Sequence, residues 1–108
     1  MFIAMNRFKV NAGKEATFEE MWRGRETYLD QVTGFVSFQL LRNWLSDAGN
    51  GTEYISHSTW RSREDFEKWR DSDSFSRGHA QGSVQGILAG HPEVSLYETV
   101  LEQSKAPA

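Results

Sequence analysis

The sequence predicts an α+β fold, in which an antiparallel sheet carries helices on one face. Three observations predict it. Residues 2–10 alternate in the manner of a strand, two later stretches show helical apolar spacing, and the elements follow as strand, helix, strand, strand, helix, strand.

Each element has its own justification. In residues 2–10, Phe2, Ala4, Asn6, Phe8 and Val10 share one face, and Ile3, Met5, Arg7 and Lys9 share the other. Gly13 ends this strand. From residue 14 to about residue 32 the positions Phe18, Met21, Trp22, Arg25 (by its stem), Tyr28, Leu29 and Val32 recur at helical spacing, which predicts an amphipathic helix. After Gly34 the run FVSFQLLRNW suits a strand. The turn cluster at residues 47–52 then leads into EYISHSTW, rich in β-branched and aromatic residues, and the two strands are expected to form a hairpin. Ser62 with Asp65 three positions on resembles a capping box, which opens a short helix with Phe66 and Trp69 on one face. Another short helical piece is expected from Ser72 to about Gln81. GSVQGILAGHP holds too many glycines for a stable element, and VSLYETVLE is the last strand.

This order is the split βαβ, or ferredoxin-like, arrangement. One face of its sheet lacks helices and needs a cover, which a second copy of the chain supplies in a dimeric α+β barrel. The composition points the same way. At 38% hydrophobic residues and a mean hydropathy of -0.62, the chain is poor in apolar residues, yet it has four Trp and seven Phe. A single domain over residues 1–102 is expected, with residues 103–108 as a disordered tail.

Charge and composition exclude several classes. A net charge of -3 and a pI near 5.6 offer no basic face for nucleic acid. The absence of cysteine removes disulfides, thiolate metal sites and thiol nucleophiles, and fits a reducing compartment. No leader-like N-terminus or long apolar run is present, so a cytoplasmic protein without membrane insertion is expected. GxSxG, GxGxxG and P-loop signatures are also missing, so acyl transfer, dinucleotide binding and nucleotide hydrolysis have no local motif. Glu19, Glu20, Glu64, Asp65 and Glu67 read as carboxylates on solvated helix turns.

The residues left for chemistry are few. Asn6 is an amide on an apolar face, and it either bonds to neighbouring backbone or serves a site. Phe66 and Trp69 are either core or the wall of a ligand cavity. His79 follows Phe75 by four positions and can share its face, whereas His57 lies in a strand and His91 precedes a proline. No pair among these histidines has the spacing of a non-haem metal site. A single imidazole suffices for haem, because the porphyrin supplies the four equatorial ligands.

Three stretches together resemble the IsdG-type haem-degrading monooxygenases of the antibiotic biosynthesis monooxygenase superfamily. They are the early NRF with Asn6, the TW that ends at Trp60, and the run from Phe66 to His79 with Trp69, Ser72, Asp73 and Phe75 between. The resemblance covers nearly the whole chain. It implies that His79 ligates the haem iron, that Trp69 packs against the porphyrin and forces it out of plane, and that Asn6 reaches toward dioxygen. Phe66 and Phe75 would line the haem, and Arg25 is a candidate for its propionates. The implied reaction uses O2 and an external electron donor, a separate reductase or small reductant, to open the macrocycle. Iron and a linear tetrapyrrole are released, which suggests iron acquisition. The implied assembly is a homodimer, with residues 82–91 as a flap over the haem. Gly78 weakens the helix beside His79 by roughly 0.5–1 kcal/mol relative to Ala, and His91 competes as a ligand. A cofactor-free oxygenase of an aromatic or quinol substrate, a haem-binding protein without turnover and a plain barrel remain alternatives.

Overall fold

The computed structural model describes residues 1–25, 28–46, 48–72 and 86–105. Its elements are β1 (Phe2–Val10), α1 (Glu15–Arg23), β2 (Phe35–Arg42), β3 (Thr52–Trp60), α2 (Arg63–Arg70) and β4 (Glu93–Glu98), with single 3-10 turns at Leu29–Gln31 and Ala48–Asn50. The four strands form one antiparallel sheet in the order β2-β3-β1-β4. This is the ferredoxin-like α+β arrangement that the element order predicts.

Alternation decides which residues the helices cover. Phe2, Phe8 and Val10 of β1 and Thr52, Tyr54, Ser56, Ser58 and Trp60 of β3 are buried on the same face. Phe18 of α1 and Phe66 of α2 close over them, and both rings are nearly inaccessible. At the start of α2 the Ser62 hydroxyl accepts from the Asp65 N–H at 3.2 Å, the cap expected from the sequence. The β2–β3 hairpin is also as expected, with an irregularity between Phe35 and Ser37.

Three elements differ from the sequence reading, the first being the last strand, expected through residue 102 but ending at Glu98. The helix expected over residues 14–32 ends at Arg23, with Gly24 as its C-cap. The apolar spacing continues beyond it, but Tyr28 takes a left-handed φ of 61°, and Leu29 is buried from a 3-10 turn instead. The glycine-rich stretch is also more tied down than expected over its described part. Leu88 bridges to Val10, the Asn11 N–H donates to the Ile87 carbonyl, and the Ala89 N–H donates to the Lys9 carbonyl. Ile87 and Leu88 pack against the Phe8–Phe18 cluster, which explains why this stretch holds without regular structure.

Among the described residues, no helix covers the opposite face of the sheet. It presents Ile3 and Met5 half-buried beside Ile55, with Leu41 and Tyr97 exposed. His57 stands among them at the Met5 register, its Nδ1 buried and without a hydrogen-bond partner among the described residues.

Candidate functional site

The helix-covered face holds two aromatic clusters rather than one. The first gathers Phe2, Leu29, Trp60 and Phe66, with Ala4, Phe38 and Trp69 against it. The second gathers Phe8, Val10, Phe18 and Tyr54, with Trp22 and Leu40 against it. Asn6 lies between Ala4 and Phe8 on β1, at the seam, opposite Ser56 on one side and Val94 on the other.

Asn6 is half-buried, and its side-chain amide makes no hydrogen bond to any described residue. The backbone contact that would have explained a buried amide is therefore not made. Its neighbour Ser58, by contrast, is satisfied: it donates to the Ala4 carbonyl at 3.4 Å and accepts from the Trp60 indole at 3.0 Å. An amide with free donor and acceptor capacity between two apolar clusters is suited to meet a polar atom of an otherwise flat, apolar ligand.

Trp69 and Phe66 occupy different environments despite sharing a helix face. Phe66 is 6% exposed and sits in the core, 5.4 Å from the Phe2 ring and 5.9 Å from Trp60. Trp69 is half-buried at the edge of that cluster, 5.1 Å from Trp60. Ser72 tightens the helix end by donating to the Trp69 carbonyl at 2.6 Å. On the other side of the seam the Arg25 guanidinium lies 4.4 Å above the Trp22 ring, and burial lowers its pKa from the ordinary value. His79, Phe75 and Asp73 lie outside the described residues.

A second feature escapes the sequence reading. Between α1 and the β2 edge lies a groove of about 480 Å³ lined by Glu19, Trp22, Arg23, Phe38, Leu40, Arg42 and Tyr54. Glu19 is not the solvated carboxylate its helix position suggests. It accepts the Tyr54 hydroxyl at 2.5 Å and an Arg23 N–H at 3.3 Å, with Arg42 at 3.8 Å. The Tyr54 bond, aided by the two guanidiniums, holds the Glu19 carboxyl below its usual range against the opposing effect of burial. Burial first, and then the Glu19 carboxylate, push the Tyr54 phenol up to about 12, so it remains a donor at neutral pH. Tyr54 and Glu19 are 35 residues apart, which is why no local motif announces the pair.

The profile of the antibiotic biosynthesis monooxygenase family matches residues 1–81, three quarters of the chain. The chain belongs to this family. Solved structures of low sequence identity share its fold. A Bacillus cereus protein assigned to the same family superposes with a TM-score of 0.76 at 17% identity, over 99% of this chain and 98% of that one. The haem degrader MhuD of Mycobacterium tuberculosis, with two haems bound in its active site, has a TM-score of 0.75 at 24% identity, over 96% and 100% of the two chains. SnoaB of Streptomyces nogalater, a cofactor-independent oxygenase, has a TM-score of 0.69 at 19% identity, over 96% and 97%. No curated protein matches the sequence. The family's fold thus serves both haem chemistry and cofactor-free oxygenation in other proteins. Among the described residues, no helix is long and apolar enough to cross a membrane.

Proposed function

We propose that this family member is a haem-degrading monooxygenase, for which haem is both substrate and cofactor. The observation that carries the reading is the Asn6 amide, without a hydrogen bond among the described residues, at the seam of two aromatic clusters, with half-buried Trp69 on one side and the Arg25–Trp22 pair on the other. A largely apolar seam whose polar members include Asn6 and Ser56 fits a flat macrocycle that needs hydrogen bonds at few points. Haem brings the iron that activates dioxygen and the ring that is oxidised.

The chain's residues have separable tasks. The Asn6 side-chain N–H would donate a hydrogen bond to a polar oxygen of the bound reactants, a role worth more in an apolar seam than in water. The Trp69 indole, on a helix fixed by the Ser62 cap, would pack against the bound macrocycle. Arg25, its guanidinium stacked over the Trp22 ring, would supply a cation for a propionate. His79, on the resemblance, would be the residue that holds the haem iron. Electrons come from a separate reductase or small reductant, and the products are iron and a linear tetrapyrrole. The uncovered sheet face, with Ile3, Met5, Ile55, Leu41 and Tyr97, supports a homodimer closed face to face into a barrel, and the lack of cysteine suits a cytoplasmic setting.

The test is a haemin titration followed at the Soret band, on the native chain and on His79→Ala and Asn6→Ala. Ascorbate and oxygen are then added under catalase. The expected result is a saturable complex that needs His79, bleaches to a bilin-like product in the native chain, and turns over more slowly in Asn6→Ala. A stable haem spectrum under reductant and oxygen would overturn turnover and leave a haem carrier. No saturable Soret shift would overturn the reading in favour of cofactor-independent oxygenation.

A further inference from the structure

On its helix-covered face β3 buries five side chains that carry a polar atom: Thr52, Tyr54, Ser56, Ser58 and Trp60. Four of them have that atom engaged. The Thr52 hydroxyl donates to Glu15 at 3.5 Å, the Tyr54 hydroxyl donates to Glu19, and the Trp60 indole donates to the Ser58 hydroxyl at 3.0 Å. Ser56 is the exception. It is 7% exposed, and its hydroxyl makes no hydrogen bond to any described residue. Ser56 is also the residue directly opposite Asn6. Building on the haem reading, we propose that Ser56 is a second hydrogen-bonding residue of the seam, whose hydroxyl donates together with the Asn6 side-chain N–H to one oxygen of the bound reactants.

The row across the sheet isolates this pair. At the Asn6 register it runs Leu40, Ser56, Asn6, Val94, so two adjacent polar side chains stand between two apolar ones. Ser56 is therefore the polar cross-strand neighbour of Asn6. A buried hydroxyl in apolar surroundings costs stability unless it is bonded, and the same face of β3 satisfies its other polar groups within the chain. A partner from outside the chain accounts for the one that is left.

Reach and chemistry agree with a shared acceptor. Directly opposite residues of an antiparallel pair share a face, with Cβ atoms about 4.5–5.5 Å apart. An oxygen that accepts at about 2.8 Å from a hydroxyl and about 2.9 Å from an amide fits between such neighbours. The serine hydroxyl rotates to suit its acceptor, whereas the amide has a donating and an accepting end. Two donors that converge define an acceptor position more strictly than the amide alone. Both stand on strands paired on each side, β3 between β2 and β1, and β1 between β3 and β4, so the pair is held before a ligand arrives.

Two measurements on the full chain test this. In the haem-free protein, Ser56→Ala removes a hydroxyl that bonds to no described residue, so its urea midpoint is expected to equal or exceed the native one. Ser58→Ala, which breaks the bond to Trp60, is expected to lower it. In the haemin complex the probe is fluoride, a strong hydrogen-bond acceptor, titrated by absorbance. Ser56→Ala and Asn6→Ala are each expected to weaken fluoride binding at least threefold while haemin affinity stays within twofold of native. Ser56→Thr, which keeps the hydroxyl, is expected to bind fluoride as the native complex does. Native fluoride affinity in Ser56→Ala would overturn the proposal, and so would a Ser56→Thr complex as weak as that of Ser56→Ala. A lowered urea midpoint in Ser56→Ala would also overturn it, by giving the hydroxyl to the core. A native chain that takes up no haemin would overturn the haem reading and the second donor with it, whereas the other adverse results leave the haem reading intact.

Discussion

Tyr54→Phe isolates one oxygen at the junction of α1 and the sheet. The ring stays where it is, 1% exposed and 4.9 Å from Phe18, so the core loses no carbon contact. What disappears is the hydroxyl bonded to Glu19. A hydrogen bond to a charged group contributes about 1.5–3 kcal/mol, and the Glu19 side chain is 27% exposed, so water replaces part of it. The expected loss at pH 7 is therefore about 1.5 kcal/mol, the low end of that range. In urea, with a slope of about 1.5 kcal/mol per molar, the midpoint falls by about 1 M. The pH dependence tests the cause. Glu19 is held below its usual 4.5, so the folded state favours the carboxylate. The stability this gives is present above the unfolded value and is lost as pH falls through the folded one. The gap between native and variant proteins should accordingly narrow in urea melts taken well below pH 4.5. An equal gap at both pH values, or one under about 0.5 kcal/mol at pH 7, would refute a charge-assisted origin.

Other substitutions probe different parts of the molecule. A β-carbon at Gly34, whose φ is 84°, would run into the Asp65 side chain at the start of α2, so Gly34→Ala should cost about 2–4 kcal/mol by thermal or urea unfolding. Phe18 is completely buried in the second cluster, and Phe18→Ala should cost about 3–5 kcal/mol. Asn6→Ala removes no hydrogen bond among the described residues, so its unfolding midpoint should stay within about 0.5 kcal/mol of native while haem turnover falls. The alkaline limb of stability should also depend on Tyr54. Its phenol is raised from 10 to about 12, a contribution complete below the unfolded value and lost as pH rises through the folded one. Tyr54→Phe should flatten that limb in a pH series of melts.

The parts of the fold that a local period determines were legible. Strand alternation identified the covered face of β1, including Asn6 as its polar member, and Ser62 marked the start of α2 through a bond spanning three residues. Periodicity was less informative about backbone continuity. Leu29 has the burial that helical spacing implies, but it reaches the core after Gly24 has ended α1 and Tyr28 has turned left-handed. Phe66 and Trp69 show the same limit at the site: their shared spacing placed both on one face, and only packing against Trp60 and Phe2 separates the core ring from the edge ring. The groove was illegible because its chemistry arises between elements. Glu19 looks like any acidic residue of a helix until Tyr54 is folded beneath it.

The strand order also says something about how the molecule is made. β1 is central, yet its partners come late: Asn6 pairs with Ser56 on one side and Val94 on the other. Closing such spans costs chain entropy before contacts return it, and non-local pairing slows folding. During synthesis β2 and β3 can form their hairpin early, while β1 waits with an unfilled edge until β4 has emerged. The strand that carries Asn6 thus precedes both its partners in the chain and is the last to be flanked on both sides. Until that final pairing, its aromatic face is what a chaperone would see.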